Sequence, residues 1–534
     1  MLPTKSTFER IALNRVTFGA RDTDVAAAKS MGWAAWVSEQ LNAPAGDDPA
    51  LDAHLKAQRM RITYRAPEAD SGKSWAAVDE LRPLNYIYAN TATLWNLVVN
   101  VNKTISPAER VRVLQEMAVS YFIRNTHAKY QLREFMTDFW HNHFNIGAGQ
   151  AERIDGMLPL YDRDVIRPNV FGNFRTMLEA VAKSGAMMFF LDNAESNKAQ
   201  PNENYARELL ELHTVSAAVY LGVSDKSGGT GTTIGVNAPG YTDQDVIEAS
   251  RALSGWTIEY GQRDTTGAKL PSTGNFTYSP SQHNTTAKSF LGIDLSGLTE
   301  NMQQGRFVLD MAAYHPATAD FICRKLAVRM FGDQPPQAII NRAKTAWLAN
   351  TQSPDQIKKV LQAMLLDGTE IGEGAAAKVR RPYERLVGLF RTTDMTVNAN
   401  PLASDWVSGM DDGLFVWPEP NGRPDTSAFW LTSVATLGSW NTMINAPNTT
   451  SVVTTLTDQT PTTSLSTAAL IADYWVGRMI GFQPESSTYT ALVSYISGPG
   501  GIMGALKANK TGQIEIGFRK LVALIAATEE FTYR

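Results

Sequence analysis

The chain has 534 residues but only one cysteine, Cys323, which excludes disulfide bonds within the chain, cysteine-rich zinc sites and iron–sulfur clusters. No run of apolar residues approaches the roughly 18 that a membrane-spanning helix needs. Charge is sparse as well: charged residues make up 19% of the chain, and 49 basic against 53 acidic side chains leave a formal net charge of −4. A surface that follows nucleic-acid phosphates is therefore not expected.

Four common enzyme signatures are missing. The sequence contains neither a Gly-x-Ser-x-Gly nucleophile elbow nor a His-Glu-x-x-His zinc motif. It also lacks a dinucleotide-binding glycine fingerprint after a strand and the set of protein-kinase motifs. Since 43% of the residues are hydrophobic, the composition is that of a globular enzyme or binding protein, and it narrows the function no further.

Helical periodicity dominates the chain and predicts a mainly α fold, a large multi-helical domain. Helices that carry polar segments are expected at about 107–125, 129–144, 201–219 and 243–254. One region has the pattern of β-strands. Two segments in which apolar and polar residues alternate, with a Gly- and Thr-rich connection between them, predict a hairpin at about 256–279, inserted between helices.

The chain loosens after residue 395 into segments rich in proline, glycine and tryptophan, so the C-terminal third is expected to be irregular between its helices. We therefore predict a helical core at 1–395 that carries the polar motifs and the hairpin. A C-terminal helical region at 396–534 is expected to pack on that core.

The chain has seven histidines, and one dense polar segment contains two of them. Asp138 and His141 are three residues apart and share one face of a helix. This spacing suits a carboxylate that orients a catalytic histidine, and it also suits a pair of metal ligands. A buried hydrogen-bonded cluster is the structural alternative. Trp140, Asn142 and His143 are candidates for substrate binding beside this pair.

A second polar segment, 202–214, contains many side chains that can form hydrogen bonds or exchange protons, all within one predicted helix. Glu208 is expected at the edge of its apolar face, with Arg207 beside it, so its pKa could be shifted and it could act as an acid or base. We take Glu208 and His213 as catalytic candidates and Asn204 and Arg207 as substrate-binding candidates. An exposed, ion-paired helix remains the alternative.

Two further substrate-binding candidates lie at the hairpin. Trp256 begins it, and His283 follows it in a loop, where polar residues often serve function. If the polar helices pack together, the catalytic candidates would meet in one site. The sequence requires no cofactor, but a divalent metal such as zinc, manganese or iron would find a mixed nitrogen and oxygen ligand set in these same side chains: Asp138, His141, Glu208 and His213.

Several motifs, in this order, resemble the bacterial family known as domain of unknown function 1800, and they cover nearly the whole chain. The matching segments are Asn14–Gly19, Phe139–Phe144, Asn202–Thr214, Tyr241–Trp256, His315–Ala319, Trp417–Gly422 and Ala526–Phe531.

The resemblance implies a long, mainly helical protein of a usually exported family. Many members are encoded beside a second family that looks like alkaline phosphatases and sulfatases, which suggests a partner. The first residues show no apolar segment of the kind that a secretory signal needs, which predicts the cytoplasm. If a signal peptide has been removed, the usual export of the family's members predicts a periplasmic or secreted protein.

The leading functional hypothesis is an extracytoplasmic hydrolase or lyase that acts on a polysaccharide through a carboxylate and histidine site. In this picture Glu208 is the acid or base, Asp138 orients His141, and Trp140 or Trp256 stacks on a sugar ring. The first alternative is a metal-dependent enzyme that uses the ligand set above. The second is a non-enzymatic, secreted binding or assembly factor.

Overall fold

The computed structural model describes residues 2–223, 235–372, 378–399, 413–449 and 452–534. These residues form a mainly α structure with three small two-stranded sheets, which confirms the predicted fold class. Ten of the described α-helices precede residue 200, and we number them α1–α10 in chain order. They are Phe8–Val16, Asp22–Met31, Trp33–Leu41, Pro49–Ala57, Thr91–Asn100, Pro107–His127, Gln131–His143, Glu152–Leu160, Phe174–Lys183 and Gly185–Phe190.

The remaining described helices follow the same order. Helices α11–α17 are Glu203–Glu208, Asp243–Leu253, Gln303–Tyr314, Pro316–Phe331, Gln337–Ala349, Gln356–Leu366 and Pro382–Thr392. Helices α18–α25 are Ser427–Trp430, Ser433–Asn445, Leu456–Gln459, Ala468–Met479, Ser486–Ser497, Ile502–Lys507, Thr511–Ala526 and Glu529–Thr532.

All three sheets are antiparallel pairs: β1 with β2, β3 with β4, and β5 with β6. The predicted hairpin is confirmed, with Trp256 opposite Tyr278 and an irregularity in register between Ile258 and Tyr260. The strands β1–β6 are Arg59–Tyr64, Val78–Pro83, Trp256–Tyr260, Ser272–Tyr278, Ser289–Phe290 and Ile293–Asp294.

One predicted helix is shorter than expected. The segment predicted at 201–219 forms α11 and then a π-helical turn, Leu209–His213. Thr214 and Ser216 leave the helical conformation, and Ser216 has a φ of 83°, so the helix cannot continue. This segment packs on α12, as predicted, and its end at His213 reaches α7.

One large hydrophobic core extends through the described chain, from Ala12 in the first helix to Phe531 in the last, and a small separate cluster contains Val379, Trp430 and Ala435. The large core includes residues on both sides of the predicted boundary at 395/396, such as Phe390 and Trp475. The C-terminal helices thus share the core of the N-terminal ones, while the boundary itself stays a prediction. Within the described ranges, no helix is both long enough and apolar enough to cross a bilayer.

Helix α7 lies at the centre of this core, because all of its residues except Asn142 are buried. Its apolar side chains pack against neighbouring helices, and its polar ones are therefore enclosed as well. Buried polar side chains need partners, so the rest of the fold must supply them. How it does so determines the candidate site.

The loop at 417–423 returns to the end of α7, and Gly422 makes this approach possible. Gly422 has a φ of 75°, and a Cβ there would collide with the carbonyl oxygen of Asn142. We expect Gly422→Ala to destabilise the fold by about 1–3 kcal/mol, from the strained backbone and the clash together. Thermal unfolding of the purified variant measures the effect.

Gly438→Ala is the matched control, since Gly438 lies in helix α19 with open space around the new Cβ. It should be neutral or stabilise the protein by up to about 1 kcal/mol. Equal behaviour of the two variants would contradict the close approach of the loop to α7.

Candidate functional site

A cavity of 280 Å³ lies at the carboxyl-terminal end of α7. Four parts of the chain form its wall: the end of α7, the middle of α14, the start of α17 and residues 421–425, where the loop at 417–423 ends. The residues that line it are Asp138, Phe139, Asn142, His143, Lys325, Arg329, Arg381, Asn421, Gly422, Arg423, Pro424 and Asp425.

Two asparagines, one in α7 and one just after it, bind the loop at 417–423. The side chain of Asn142 accepts a hydrogen bond from the backbone N–H of Arg423 at 2.8 Å and donates one to its carbonyl oxygen at 3.0 Å. Asn145 donates to the carbonyl oxygens of Trp417 and Glu419 at 3.0 and 2.7 Å. Asn142, a predicted substrate-binding residue, therefore builds the cavity wall.

Asp138 is fully enclosed and makes ion pairs with three arginines. Its Oδ2 accepts hydrogen bonds from Arg329, at 2.9 Å, and from Arg381. Its Oδ1 accepts one from Arg423 at 3.1 Å. Although burial opposes the charge, these guanidinium groups hold the pKa of Asp138 down at about 2. The carboxylate therefore stays ionised and organises the arginines.

A second buried carboxylate lies behind the first. Glu384 pairs with Arg329 and Arg381, and Arg534 lies 3.7 Å away. The pKa of Glu384 is held well below its usual value by Arg329 and its neighbours, against the effect of burial. The two carboxylates together fix Arg329 and Arg381 in the wall of the cavity.

The charges that line the cavity do not cancel. Lys325 and three arginines face only two carboxylates, Asp138 and Asp425. Asp425 is already paired with Lys378 at 3.2 Å, and the cations around it lower its pKa. The cavity is therefore a cationic environment that suits an anionic ligand.

Lys325 has no ion pair with a carboxylate in the part of the chain that the structure describes. Its Nζ lies 3.0 Å from Nδ1 of His143. Burial lowers the pKa of Lys325 to about 8, because the enclosed ammonium loses its hydration. A lysine in this state is partly neutral near physiological pH, and a neutral amine is what a base or a nucleophile needs.

His143 positions Lys325, because its neutral ring has one nitrogen that can accept a hydrogen bond from the lysine amine. Nε2 of His143 lies 3.1 Å from the carbonyl oxygen of His213, so Nε2 carries the proton and Nδ1 is free to accept from Lys325. Burial and Lys325 keep the pKa of His143 well below its usual value. Both ring nitrogens are occupied, so His143 positions Lys325 and does not itself face the cavity as an acid.

His213 is brought next to His143, but it is buried in the core. Its ring lies 6.3 Å from that of His143, between centroids, and 5.2 Å from that of Phe144. Burial lowers the pKa of His213 to about 3, so its ring is neutral at physiological pH. Its backbone carbonyl supports the site, while its side chain does not line the cavity.

The predicted pairing of Asp138 with His141 is wrong. His141 instead makes a hydrogen bond at 2.9 Å between its Nε2 and Oδ1 of Asp162, and Arg167 holds the other oxygen of that carboxylate at 2.8 Å. Asp138 is turned to the three arginines because three guanidinium groups attract its carboxylate more strongly than one imidazole does. The two residues share α7 but serve different clusters.

Glu208 lies away from the cavity. It is half-buried, and burial together with the nearby Glu211 raises its pKa. Arg207 pairs with Asp243 at 3.1 Å instead of with a carboxylate of its own segment, and Asn204 is exposed. The structure does not bring Glu208, Arg207 or Asn204 to Asp138, so the predicted single site is divided in two.

The two tryptophans predicted to stack on a sugar are buried in the core. Trp140 and Trp256 are both 0% exposed. Nε1 of Trp140 donates to the carbonyl oxygen of Val170, and the Trp256 ring packs against Gly305. A ring without exposed surface cannot stack on a substrate, so the predicted stacking role is wrong for both.

His283 connects the hairpin to its neighbours. Its Nδ1 lies 2.8 Å from the carbonyl oxygen of Ser254, and its Nε2 lies 3.1 Å from Oε1 of Gln304. It thereby links the end of α12 to α13, and it does not line the cavity.

The alternative metal site is not formed by the described residues. Among them, no group of three or more His, Cys, Asp or Glu side chains could hold a metal ion. Asp138 is surrounded by arginines, and His141 belongs to the Asp162 pair, so the proposed ligand set of Asp138, His141, Glu208 and His213 does not converge.

The four cationic residues of the cavity were not predicted. Lys325 and Arg329 lie four residues apart in a helix that is otherwise apolar on that face, which is the one local signal that pointed to them. Arg381 and Arg423 gave no local signal, since only the packing of distant segments brings them to α7.

The chain belongs to the DUF1800 family, described as a protein of unknown function, and the sequence model of that family matches residues 11–533. This match confirms the predicted resemblance over nearly the whole chain. No curated protein and no solved structure matches the chain.

The arginine cluster predicts a strong effect of Asp138→Asn on stability. Removing the charge leaves three buried arginines with one carboxylate fewer. The free energy of unfolding should fall by about 3–5 kcal/mol. The folded-state pKa of about 2 lies below the ordinary 3.8, so this contribution is present above pH 4 and is lost as the pH falls towards 2. Urea unfolding at several pH values measures it.

Asp79→Asn is the matched control, because Asp79 pairs with Arg61 on the surface. This exposed pair should contribute little, so the variant should unfold near the wild-type urea concentration. A difference between wild type and Asp138→Asn that stays constant between pH 7 and pH 2 would show that the charge of Asp138 is not the cause.

Proposed function

We propose that the chain is a lyase that acts on a carboxylate-bearing polysaccharide outside the cytoplasm, with Lys325 as the base. The observation that carries the proposal is the amino group of Lys325, which stands in a cationic cavity without an ion pair among the described residues. Its pKa is lowered to about 8. Such a lysine can remove a proton near neutral pH.

The charge of the cavity indicates the substrate class. Arg329, Arg381 and Arg423 line it together with Lys325, against two carboxylates. Arginine forms paired hydrogen bonds with carboxylates, so the acidic group of a uronate sugar is a suitable ligand. The volume of 280 Å³ lies just below the usual range for ligand pockets, about 300–1,000 Å³, so the cavity would hold one sugar ring at a time.

The carboxylates of the cavity favour a lyase over a hydrolase. A glycoside hydrolase needs two carboxyl groups, one of them protonated at working pH through a raised pKa. Asp138 and Asp425 both have lowered pKa values and are held in ion pairs. Neither can donate a proton, whereas an elimination needs a base and a cationic group near the substrate carboxylate.

The reaction is a β-elimination. Neutral Lys325 takes the proton from the carbon next to the substrate carboxylate, and the released electron pair forms a double bond to the neighbouring carbon as the glycosidic C–O bond breaks. The leaving oxygen takes a proton from the lysine ammonium or from water. The arginines stabilise the negative charge that builds up on the substrate carboxylate in the transition state.

His143 makes Lys325 competent for this step. The neutral amine donates one hydrogen to Nδ1 of His143, which leaves its lone pair for the substrate proton. The bond between Nε2 of His143 and the carbonyl of His213 keeps the imidazole from turning. His143 is therefore a positioning residue.

Loss of the amine should abolish elimination. Lys325→Met is expected to lower kcat by about 100-fold to 10,000-fold, the usual contribution of a general base. Lys325→Arg should be as inactive, because a guanidinium stays protonated. The assay follows the ultraviolet absorbance of the new double bond on polygalacturonate, alginate, hyaluronate and a neutral glucan.

Wild-type kcat/KM should rise with pH and level off above about pH 8, because the neutral form of Lys325 then dominates. Lys507→Met, on an exposed helix face, is the control and should keep full activity. Release of reducing ends without the double bond would indicate hydrolysis and overturn the proposal. Absence of activity on all the acidic polymers would overturn it too.

One observation supports a second candidate, the secreted binding or assembly factor. Along helix α19, Val434, Leu437 and Ile444 are exposed apolar side chains, with Val434 69% exposed. A surface of this kind is typical of protein contacts. On this alternative, the partner is a protein such as the neighbouring phosphatase- or sulfatase-like one.

Leu437→Asp tests the second candidate without touching the cavity. If the chain works as an assembly factor, this variant should lose the partner in co-purification from the native cell, while Lys325→Met keeps it. Retention of the partner by Leu437→Asp would contradict the assembly role of this surface.

A further inference from the structure

A second and larger cavity, of 610 Å³, lies near the start of α7. It is enclosed by the end of α3, the loop at 43–47, the turn Tyr86–Tyr88, α6 and the segment 162–172. It shares no lining residue with the cavity at Lys325. Arg133 in its wall and Asn142 at the first cavity are about 13 Å apart along the helix axis.

Two arginines of this wall have unused donors. Nη2 of Arg133 and Nη2 of Arg167 make no hydrogen bond to any described residue. Their other nitrogens are occupied: Arg167 donates from Nε to Asp162 and from Nη1 to Glu134, each at 2.8 Å. Arg133 donates from Nε to Glu134 at 3.2 Å and from Nη1 to the carbonyl oxygens of Pro44 and Gly46.

These unused donors call for an acceptor. Arg133 is 6% exposed, and its Nη2 lies 3.8 Å from Oδ1 of Asp47, too far for a hydrogen bond. Buried guanidinium donors without acceptors are costly, so a ligand that supplies an oxygen there gains binding energy. A carboxylate does this best, since it offers two oxygens to a cation.

The rest of the wall is mixed. Its charged part consists of two more arginines and three carboxylates, Arg124, Arg163, Asp47, Asp52 and Asp162, so the arginines of the cavity outnumber its carboxylates four to three. Its apolar part is formed by Leu41, Ile87, Val170 and Phe171, together with several small residues of the loop. Ligand pockets characteristically combine such a lining with a few convergent polar groups, and 610 Å³ lies within their usual range. The ligand should therefore have an apolar body of moderate size beside its acidic group.

We propose that this cavity is a second binding site, which takes a small carboxylic acid with an apolar or aromatic body. The carboxylate meets the guanidinium groups of Arg133 and Arg167, and the apolar body lies against Leu41, Ile87 and Phe171. The site is independent of the proposed lyase chemistry, because it has its own wall and its own arginines.

Isothermal titration of the full chain with 2-naphthoate tests the site, with 2-naphthylmethylamine as the cationic analogue. We expect one binding site for the acid and none for the amine. Ala45→Phe should weaken the binding of the acid at least tenfold, because Ala45 is an exposed residue at the cavity and the larger ring fills its entrance.

Ala35→Phe is the matched control, since Ala35 is exposed on α3 and does not line the cavity, so binding should be unchanged. Lys325→Met should also bind as the wild type does. Arg133→Gln should weaken binding as well, but it breaks the pair with Glu134 and can misfold, so Ala45→Phe is the deciding variant.

Four results would overturn the proposal. They are no binding of 2-naphthoate, equal binding of the amine, unchanged binding in Ala45→Phe, or a loss of binding in Lys325→Met alone. The last result would place the acid in the other cavity. Because Lys325→Met and Ala45→Phe affect different walls, the failure of this site is distinguishable from the failure of the proposed lyase.

Discussion

The buried carboxylate of Asp138 is the interaction on which the candidate site depends. It joins three arginines that are 191, 243 and 285 residues away in the sequence. Three enclosed cations would repel one another without it, and α14, α17 and the loop at 417–423 could not meet at α7. The same contacts keep the carboxylate of Asp138 ionised, so its role is structural. The proposed chemistry is carried out by Lys325, the basic residue beside it.

That cation, Lys325, is left without a carboxylate partner among the described residues, while its neighbours Arg329 and Arg381 are paired twice. Burial then lowers its pKa, and a histidine supplies the acceptor that a neutral amine can use. The arrangement is an uncommon one for a purely structural lysine, because an ion pair would be the simpler way to stabilise it. This contrast is the reason for placing the chemistry at Lys325.

The local patterns of the sequence predicted the helices and the hairpin well, but they predicted poorly which side chains bond to each other. The hairpin at Trp256 and the helices that contain Asp138 and Glu208 follow from periodicity and from start and stop residues, which are local. The pairing of Asp138 with His141 failed because an i, i+3 spacing shows only that two residues share a face. Whether they pair depends on Arg329, Arg381, Arg423 and Asp162, which come from elsewhere in the chain.

The most direct test of the central claim is the pKa of Lys325 in the folded protein. Reductive methylation with ¹³C-formaldehyde labels the lysines for a nuclear magnetic resonance titration, and the signal missing from Lys325→Arg identifies the residue. The account predicts a midpoint at about pH 8. A midpoint near the ordinary value of 10.5 would contradict it, since the amine would then be protonated at working pH and could not act as the base.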